Sequence, residues 1–323
     1  MNACIVGYGA IGPVHADVLT KLENVRLYAI CDINKERANK GANDYGAKAY
    51  YSFDNCLADE KIDVVHICTP HYLHFEMICK ALESGKRVVA EKPVVMKKSE
   101  LDYLVANYDI SKIFPIVQNR KNTCIEELKR IVDEENVGKI LGVKGILTWQ
   151  RDETYYNSAD WRGTKLYEGG GVLINQAVHT LDLMMYFAGA AKKVCASMSN
   201  NSLKDVIEVE DTVDAYIEFL NGAKGVFYAT NAYSKNSSMQ FELEFENRSF
   251  KYIDGLLISN GEVICKDSAE FKGKSYWGNG HAKILCDFYE NKKLLSLADI
   301  MNTMEAMFAI YDSAEFGKEI NLL

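Results

Sequence analysis

Apolar and polar positions follow two different patterns along this chain. In the first third, short and continuous apolar runs alternate with segments of helical spacing. Ala3 to Val6 reads as a buried strand, and 12–22 reads as a helix. Arg26 to Cys31 is a second strand, followed by a polar helix near 35–43. Val64 to Cys68 is a third strand. Leu73, Met77, Ile78, Ala81 and Leu82 then space a helix over 72–84. Arg87 to Ala90, a helix at 98–106 and a strand at 113–118 complete the series. Strands that are apolar throughout are covered on both faces. Their alternation with helices predicts βαβ units in a doubly wound parallel sheet, an α/β domain.

From about residue 120 the pattern changes. After a helix at about 123–134, Ile140 to Gln150 reads as a strand and 172–187 as an apolar-rich helix. Longer strands follow at 193–199, 209–220, 223–232, 239–246 and 249–254. Phe241, Leu243 and Phe245 alternate with Glu242, Glu244 and Glu246, so this strand has one wet face. Helices at about 280–290 and 297–316 close the chain. Runs of strands with few helices between them predict a mostly antiparallel sheet in a second, α+β domain. The expected domains are 1–120 and 121–323.

Two domains suit 323 residues. A hydrophobic share of 48% against 25% charged residues is that of a globular protein and excludes a disordered one. The net charge of −8 argues against a non-specific nucleic-acid binder, which needs cations to displace phosphate counterions. It argues more weakly against docking on an anionic membrane. No apolar stretch reaches the ~18 residues that span a bilayer. The first strand begins almost at Met1, so no leader peptide is expected. The nine cysteines show neither CxxC nor metal-ligand spacing. They are expected to be reduced thiols in a cytoplasmic protein without a metal.

Gly7-Tyr8-Gly9-Ala10-Ile11-Gly12 is a GxGxxG that follows a strand and opens a helix, with Asp32 twenty residues beyond Gly12 at the end of the second strand. That context marks a dinucleotide-binding loop. Gly7 permits the tight turn, Gly9 lets the pyrophosphate approach the backbone, and Gly12 lets helix and strand pack closely. Ala10 and Ile11 lie in the same loop, and Pro13 suits the first helical turn. The free N–H groups there face the phosphates. Asp32 can accept both ribose hydroxyls and repels a 2′-phosphate. NAD is therefore expected over NADP, a preference that Arg37 weakens.

Ligands of such sheets bind past the carboxyl ends of the strands. Thr69-Pro70 with His71 and His74, then Glu91-Lys92-Pro93, then Gln118-Asn119-Arg120 all fall there. This places Thr69, Pro70, His74, Glu91, Lys92 and Asn119 among the cofactor-binding candidates. In the second domain, Asn175 and His179 are four apart on a helical pattern and share a face, and Asp182 follows His179 by three. Leu173, Ala177, Leu181 and Met184 supply the apolar packing. A histidine between an amide and an acid also suits a satisfied core.

The set GYGAIG, Asp32, CTP with His74, GKRVVAEKP at 85–93, QNR at 118–120, WRG at 161–163, GGGVLINQAVHTLD at 169–182 and GHAKILCDFY at 280–289 resembles the Gfo/Idh/MocA family of oxidoreductases, over nearly the whole chain. The resemblance implies a Rossmann domain followed by a domain on a large open sheet that makes oligomer contacts, hence a homodimer or homotetramer. It implies that Glu91 and Lys92 lie near the nicotinamide and its ribose, and it raises the question of a cis Lys92–Pro93 peptide. Asn175 stands where inositol-dehydrogenase-like members carry Asp. An amide cannot stabilise an imidazolium as a carboxylate does, but it can bind a sugar hydroxyl. The Asn-Gln form is similar to the branch that includes nucleotide-sugar 3-dehydrogenases.

The expected activity is hydride transfer between nicotinamide and a secondary alcohol of a sugar, nucleotide-sugar or cyclitol. His179 is the expected base, and Lys92 the second catalytic group. Asn175, Trp161, Arg162 and His281 are the expected substrate contacts, with Arg162 able to pair a phosphate or carboxylate. Two other readings stay open: a glycosidase that uses NAD as a transient hydride store, and a non-catalytic dinucleotide-dependent regulator. Intact Glu91-Lys92-Pro93 and His179 argue against the regulator.

Overall fold

The computed structural model describes residues 1–267, 280–292 and 294–322. The chain forms two compact units, with a break between Gln118 and Asn119.

In the first unit the strands are β1 Asn2–Val6, β2 Arg26–Cys31, β3 Lys48–Tyr50, β4 Val64–Ile67, β5 Arg87–Ala90 and β6 Ile113–Pro115. They form one six-stranded sheet in the order β3-β2-β1-β4-β5-β6, and every pair is parallel. Ala3, Ile5, Val64, Val65 and Val88 are fully buried, as their uninterrupted apolar runs require. The helices are α1 Gly12–Leu19, α2 Lys35–Tyr45, α3 Phe53–Leu57, α4 His74–Glu83 and α5 Lys98–Asn107. Pro13 sits in the first turn of α1. Asn34 caps α2 by accepting the Arg37 N–H at 3.0 Å, and Gly46, at φ 65°, ends it in the left-handed conformation. Strand order reverses beside β1, so the loop after β1 lies at the switch point where such sheets bind ligands.

The second unit contains α6 Thr123–Glu134, β7 Ile140–Thr148, the short α7 Glu153–Tyr156 and α8 Val178–Ala188. Seven strands follow in sequence: β8 Ala191–Ser199, β9 Thr212–Phe219, β10 Lys224–Thr230, β11 Gln240–Phe245, β12 Ser249–Ile253, β13 Leu256–Ser259 and β14 Glu262–Lys266. With β7 and β15 Ile320–Asn321 they make a nine-stranded sheet, β14-β13-β12-β11-β7-β10-β9-β8-β15. Only β7 with β10 is parallel. The alternation in β11 holds, because Phe241, Leu243 and Phe245 are buried. On the other face Glu242 reaches Lys144 of β7 at 2.6 Å and Lys251 of β12 at 3.1 Å. α8 packs tightly on β7, since a Cβ at Gly145 would meet Met184 Sδ at 2.7 Å.

Two helices close the chain, α9 Gly280–Tyr289 and α10 Met301–Phe316. α10 lies in the second unit, but α9 belongs to the first. This corrects the expectation that all of 121–323 forms the second domain. Phe288 stacks edge-on against Phe114 at 4.7 Å, and Arg87 lies over the Phe288 ring at 4.3 Å. Gly280 sits so close to the first unit that a Cβ there would meet the Gln118 carbonyl at 2.0 Å. The strand expected over 113–118 also ends early, and Gln118–Lys121 is a 3-10 turn. Among the described residues no helix is long and apolar enough to cross a membrane.

Candidate active site

The loop after β1 assigns each glycine a separate task. Gly7 has φ 89°, and a Cβ there would lie 2.7 Å from the Cys68 carbonyl oxygen. A Cβ on Gly12 would lie 2.6 Å from the Gly7 oxygen. Both positions are closed by backbone. Gly9 is exposed, and a Cβ there meets nothing within 4 Å. The open cradle therefore lies at Gly9, with Ala10 and Ile11 beside it at the start of α1. Asp32 fixes this loop to the end of β2. One carboxylate oxygen accepts the Tyr8 N–H and the other the Asn34 N–H, each at 2.8 Å. These residues fit a dinucleotide: the bare backbone at Gly9 and the start of α1 would hold its phosphates, and Asp32 would accept its ribose hydroxyls.

Thr69 and Pro70 follow β4 and are half-buried. His74 departs from expectation. Its ring is fully buried, with Nδ1 2.7 Å from the Pro93 carbonyl and Nε2 2.9 Å from the Thr69 carbonyl. It ties the loop after β4 to the loop after β5 and presents no ring nitrogen to a ligand. The Lys92–Pro93 peptide is cis, and Lys92 is half-buried.

Glu91 anchors a buried network that the sequence does not announce. One oxygen lies 3.1 Å from His15 Nε2 and 3.1 Å from His281 Nε2. The other accepts the Lys92 N–H at 3.3 Å. His15 Nδ1 lies 2.9 Å from His66 Nδ1, and His66 Nε2 lies 2.6 Å from the Tyr289 hydroxyl. With His15 donating to Glu91, its Nδ1 accepts from His66, whose Nε2 then accepts from Tyr289. Burial pushes the His15 and His66 imidazoles down, His66 well down, so this neutral arrangement fits their surroundings. Burial alone would raise the Glu91 carboxyl. The hydrogen bonds from His15 and His281 outweigh it and hold the group well below its ordinary value. The donor atoms of His15, Glu91 and His281 lie within 4.8 Å of one another, a grouping that two N–H donors on one carboxylate explain. His281, expected as a substrate contact, thus stands at Glu91 and is 4% exposed.

In the second unit the helical reading of 172–187 holds in part. Leu173–Ala177 is a π turn that leads into α8. Its wider winding breaks the i, i+4 relation on which the shared face rested. Leu173, Ala177, Leu181 and Met184 are fully buried, and His179 is half-buried. Asp182 turns to Arg120. The guanidinium donates from Nε and Nη2 to the two carboxylate oxygens, both at 2.7 Å, and Thr303 adds a third bond at 2.8 Å. Asp182 is therefore a strut of α8, and the turn that carries half-buried Asn119 is held through its neighbour Arg120.

Two buried carboxylates that sequence reasoning missed hold the glycine-rich segment. Glu168 accepts the Gly163 N–H and the Asn175 side-chain amide. Glu210 accepts N–H groups from Gly171 at 2.8 Å and Leu173 at 3.0 Å, and the Tyr311 hydroxyl at 3.0 Å. Burial pushes Glu210 up despite these donors. A Cβ at Gly170 would meet the Tyr311 oxygen at 2.0 Å, and one at Gly171 the Glu210 carbonyl at 1.9 Å, which accounts for the glycine run. Nearby, the Tyr155 hydroxyl accepts from Arg162 Nη1 at 2.5 Å and from Gln176 Nε2 at 3.1 Å. The Arg162 guanidinium lies over the Trp161 ring at 4.7 Å, so the expected Trp161–Arg162 pair is one stacked feature.

Two family models match this chain. The oxidoreductase family model with an NAD-binding Rossmann fold covers residues 1–111, and the GFO/IDH/MocA C-terminal domain covers 125–251. The chain belongs to the GFO/IDH/MocA family. It is an oxidoreductase of CH–OH groups, and its first unit is an NAD-binding Rossmann domain. The levoglucosan dehydrogenase of Pseudarthrobacter phenanthrenivorans is 27% identical over 281 residues, 75% of this chain and 71% of that protein. The scyllo-inositol 2-dehydrogenase (NAD(+)) of Bacillus subtilis is 28% identical over 234 residues, 70% of this chain and 66% of that one. The WlbA dehydrogenase of Bordetella pertussis, solved with NADH and UDP-GlcNAcA, shares the fold at TM-score 0.84 and 24% identity. That match covers 99% of this chain and 98% of WlbA.

Proposed function

We propose that this enzyme reversibly oxidises a secondary hydroxyl on the ring of a sugar, nucleotide-sugar or cyclitol, with NAD supplying the hydride acceptor. The observation that carries this reading lies in the first unit. The open cradle at Gly9 and the Glu91-Lys92-Pro93 segment end β1 and β5 of one parallel sheet, with only β4 between them. A lysine two strands from a phosphate cradle supports a dinucleotide-dependent reaction, which needs a proton-handling group. The named relatives support the substrate class, since they are dehydrogenases of levoglucosan and of scyllo-inositol.

In this mechanism His179 takes the proton of the reacting hydroxyl. Lys92 is the second proton-handling group. The fixed Glu91 carboxylate positions Lys92 by accepting its backbone N–H. Asn175, whose amide nitrogen is engaged by Glu168, is the proposed contact for a neighbouring ring hydroxyl.

The test is a panel of sugars, sugar phosphates, nucleotide-sugars and cyclitols with NAD, read by NADH absorbance. At least one ring alcohol should reduce NAD. A panel in which none does contradicts the proposal. Release of sugar from an aryl glycoside at catalytic NAD, without net NADH, would replace the dehydrogenase with the glycosidase.

A further inference from the structure

We infer that Arg151, Tyr155 and Arg162 form an anion-binding site in the second unit, so that the sugar this enzyme oxidises carries a phosphate or carboxylate group. The inference rests on the proposed sugar oxidation and narrows its substrate class.

Two guanidinium groups lie against one tyrosine ring. The central carbon of Arg151 is 5.0 Å from the Tyr155 ring centroid, and that of Arg162 is 4.5 Å from it. Each cation also covers a tryptophan, Arg151 over Trp149 at 4.7 Å and Arg162 over Trp161 at 4.7 Å. Aromatic faces fix the planes of both guanidinia and leave their edges to make hydrogen bonds.

The edges are committed in the same way. Arg151 uses Nη1, which donates to the Gln150 carbonyl at 2.7 Å and to the Asn236 amide oxygen at 2.9 Å. Arg162 also uses Nη1, which donates to the Tyr155 hydroxyl at 2.5 Å. In both arginines Nε is buried without a hydrogen-bond partner. The Nε–Nη2 edge is thus uncommitted twice over, and it is this edge that grips two oxygens of a phosphate or carboxylate in parallel. A buried donor left unmet is costly, so two in one place need an explanation.

Protein carboxylates do not supply it. Among the described residues neither arginine joins an ion pair, in a chain with 45 acidic and 37 basic residues. Three of the neighbouring acids are engaged elsewhere. Asp152 accepts the Tyr155 N–H, Glu153 the Asn157 amide, and Glu168 the Gly163 N–H and Asn175. The Tyr155 oxygen already accepts two hydrogens, from Arg162 and Gln176, so its own hydrogen points to a third group. Two buried donors therefore lack an acceptor of this chain. Gln176, which binds Tyr155, follows Asn175 directly, so the anion sits beside the proposed ring contact.

Calorimetric titration of the NADH-loaded enzyme with inorganic pyrophosphate, glucose 6-phosphate, glucuronate and glucose tests this. The charged probes should bind about tenfold or more tightly than glucose, the scale of one charge-assisted hydrogen bond. The ranking of the phosphate probes against glucuronate identifies which anion the site takes. Arg151→Gln and Arg162→Gln should each weaken the charged probes about tenfold and shrink the charged-to-neutral ratio. Arg162→Lys keeps the charge without the fork and should recover only part of the loss. Thermal melts matching the parent, with unchanged NADH affinity, show that each variant is folded. Charged and neutral probes binding alike, or glutamine variants holding pyrophosphate as the parent does, overturns the site. If pyrophosphate binding depends on the arginines but no sugar reduces NAD, the anion site stands and the sugar oxidation fails.

Discussion

Removing the carboxylate of Asp182 should destabilise the second unit more than any surface change. The side chains of Arg120 and Asp182 are 5% and 2% exposed, and their bond is bidentate. Arg120 also lies over the Tyr186 ring at 4.5 Å, which closes off that face from water. Asp182→Ala leaves a guanidinium buried without its counter-charge, and a broken buried pair costs about 3–5 kcal/mol. Asp182→Asn keeps the shape but trades a charged acceptor for a neutral one. Its expected cost is about 1.5–3 kcal/mol, that of a charged hydrogen bond. Replacing both partners, as Arg120→Leu with Asp182→Leu, removes the stranded charge and should recover part of the loss. Urea unfolding followed by tryptophan fluorescence reads all four proteins. An Asp182→Ala loss below about 1 kcal/mol would refute the reasoning, and so would a double variant less stable than Asp182→Ala.

The glycine loop separates folding from binding. Gly7→Ala should lower stability by at least about 1–2 kcal/mol, because its φ of 89° is left-handed and Cys68 leaves no room. Gly9→Val should melt like the parent yet bind NADH at least about tenfold more weakly, since its side chain enters the open cradle. Titration calorimetry and thermal melts on both variants check this pair. The buried histidines set the acid response. His15 and His66 are held below their ordinary value of 6.5, so the unfolded chain binds their protons first as pH falls. Their contribution is full above about pH 6.5 and is lost below it, and Glu91, also depressed, adds a further loss at lower pH. Thermal melts should therefore fall from about pH 7 to about pH 5, and a flat profile would contradict the network.

What the sequence shows of the fold tracks how much each segment depends on its own residues. β1, β2, β4 and β5 are continuous apolar runs, and β11 alternates, so each carries its own signal. β3, β13, β14 and β15 are short or at a sheet edge, and pairing with a neighbour defines them. The π turn at Leu173–Ala177 has no residue signature, so the pattern there predicts a regular helix. The Glu91 network is the clearest case of information absent from local sequence. His15, His66, Glu91 and the pair His281 and Tyr289 come from four separated segments, and His66 sits inside what reads as a plain apolar strand. α9 crosses back to the first unit for the same reason, through contacts of high sequence separation. The glycine loop was legible because its task is local to one strand, one turn and one helix.

The proposed division of labour between Lys92 and His179 is tested most directly by turnover of a ring alcohol that reduces NAD, compared among the parent, Lys92→Ala and His179→Ala. Each substitution should slow NADH formation by ~10²–10⁴ while calorimetric NADH affinity stays close to that of the parent. Full turnover in both variants would contradict the account.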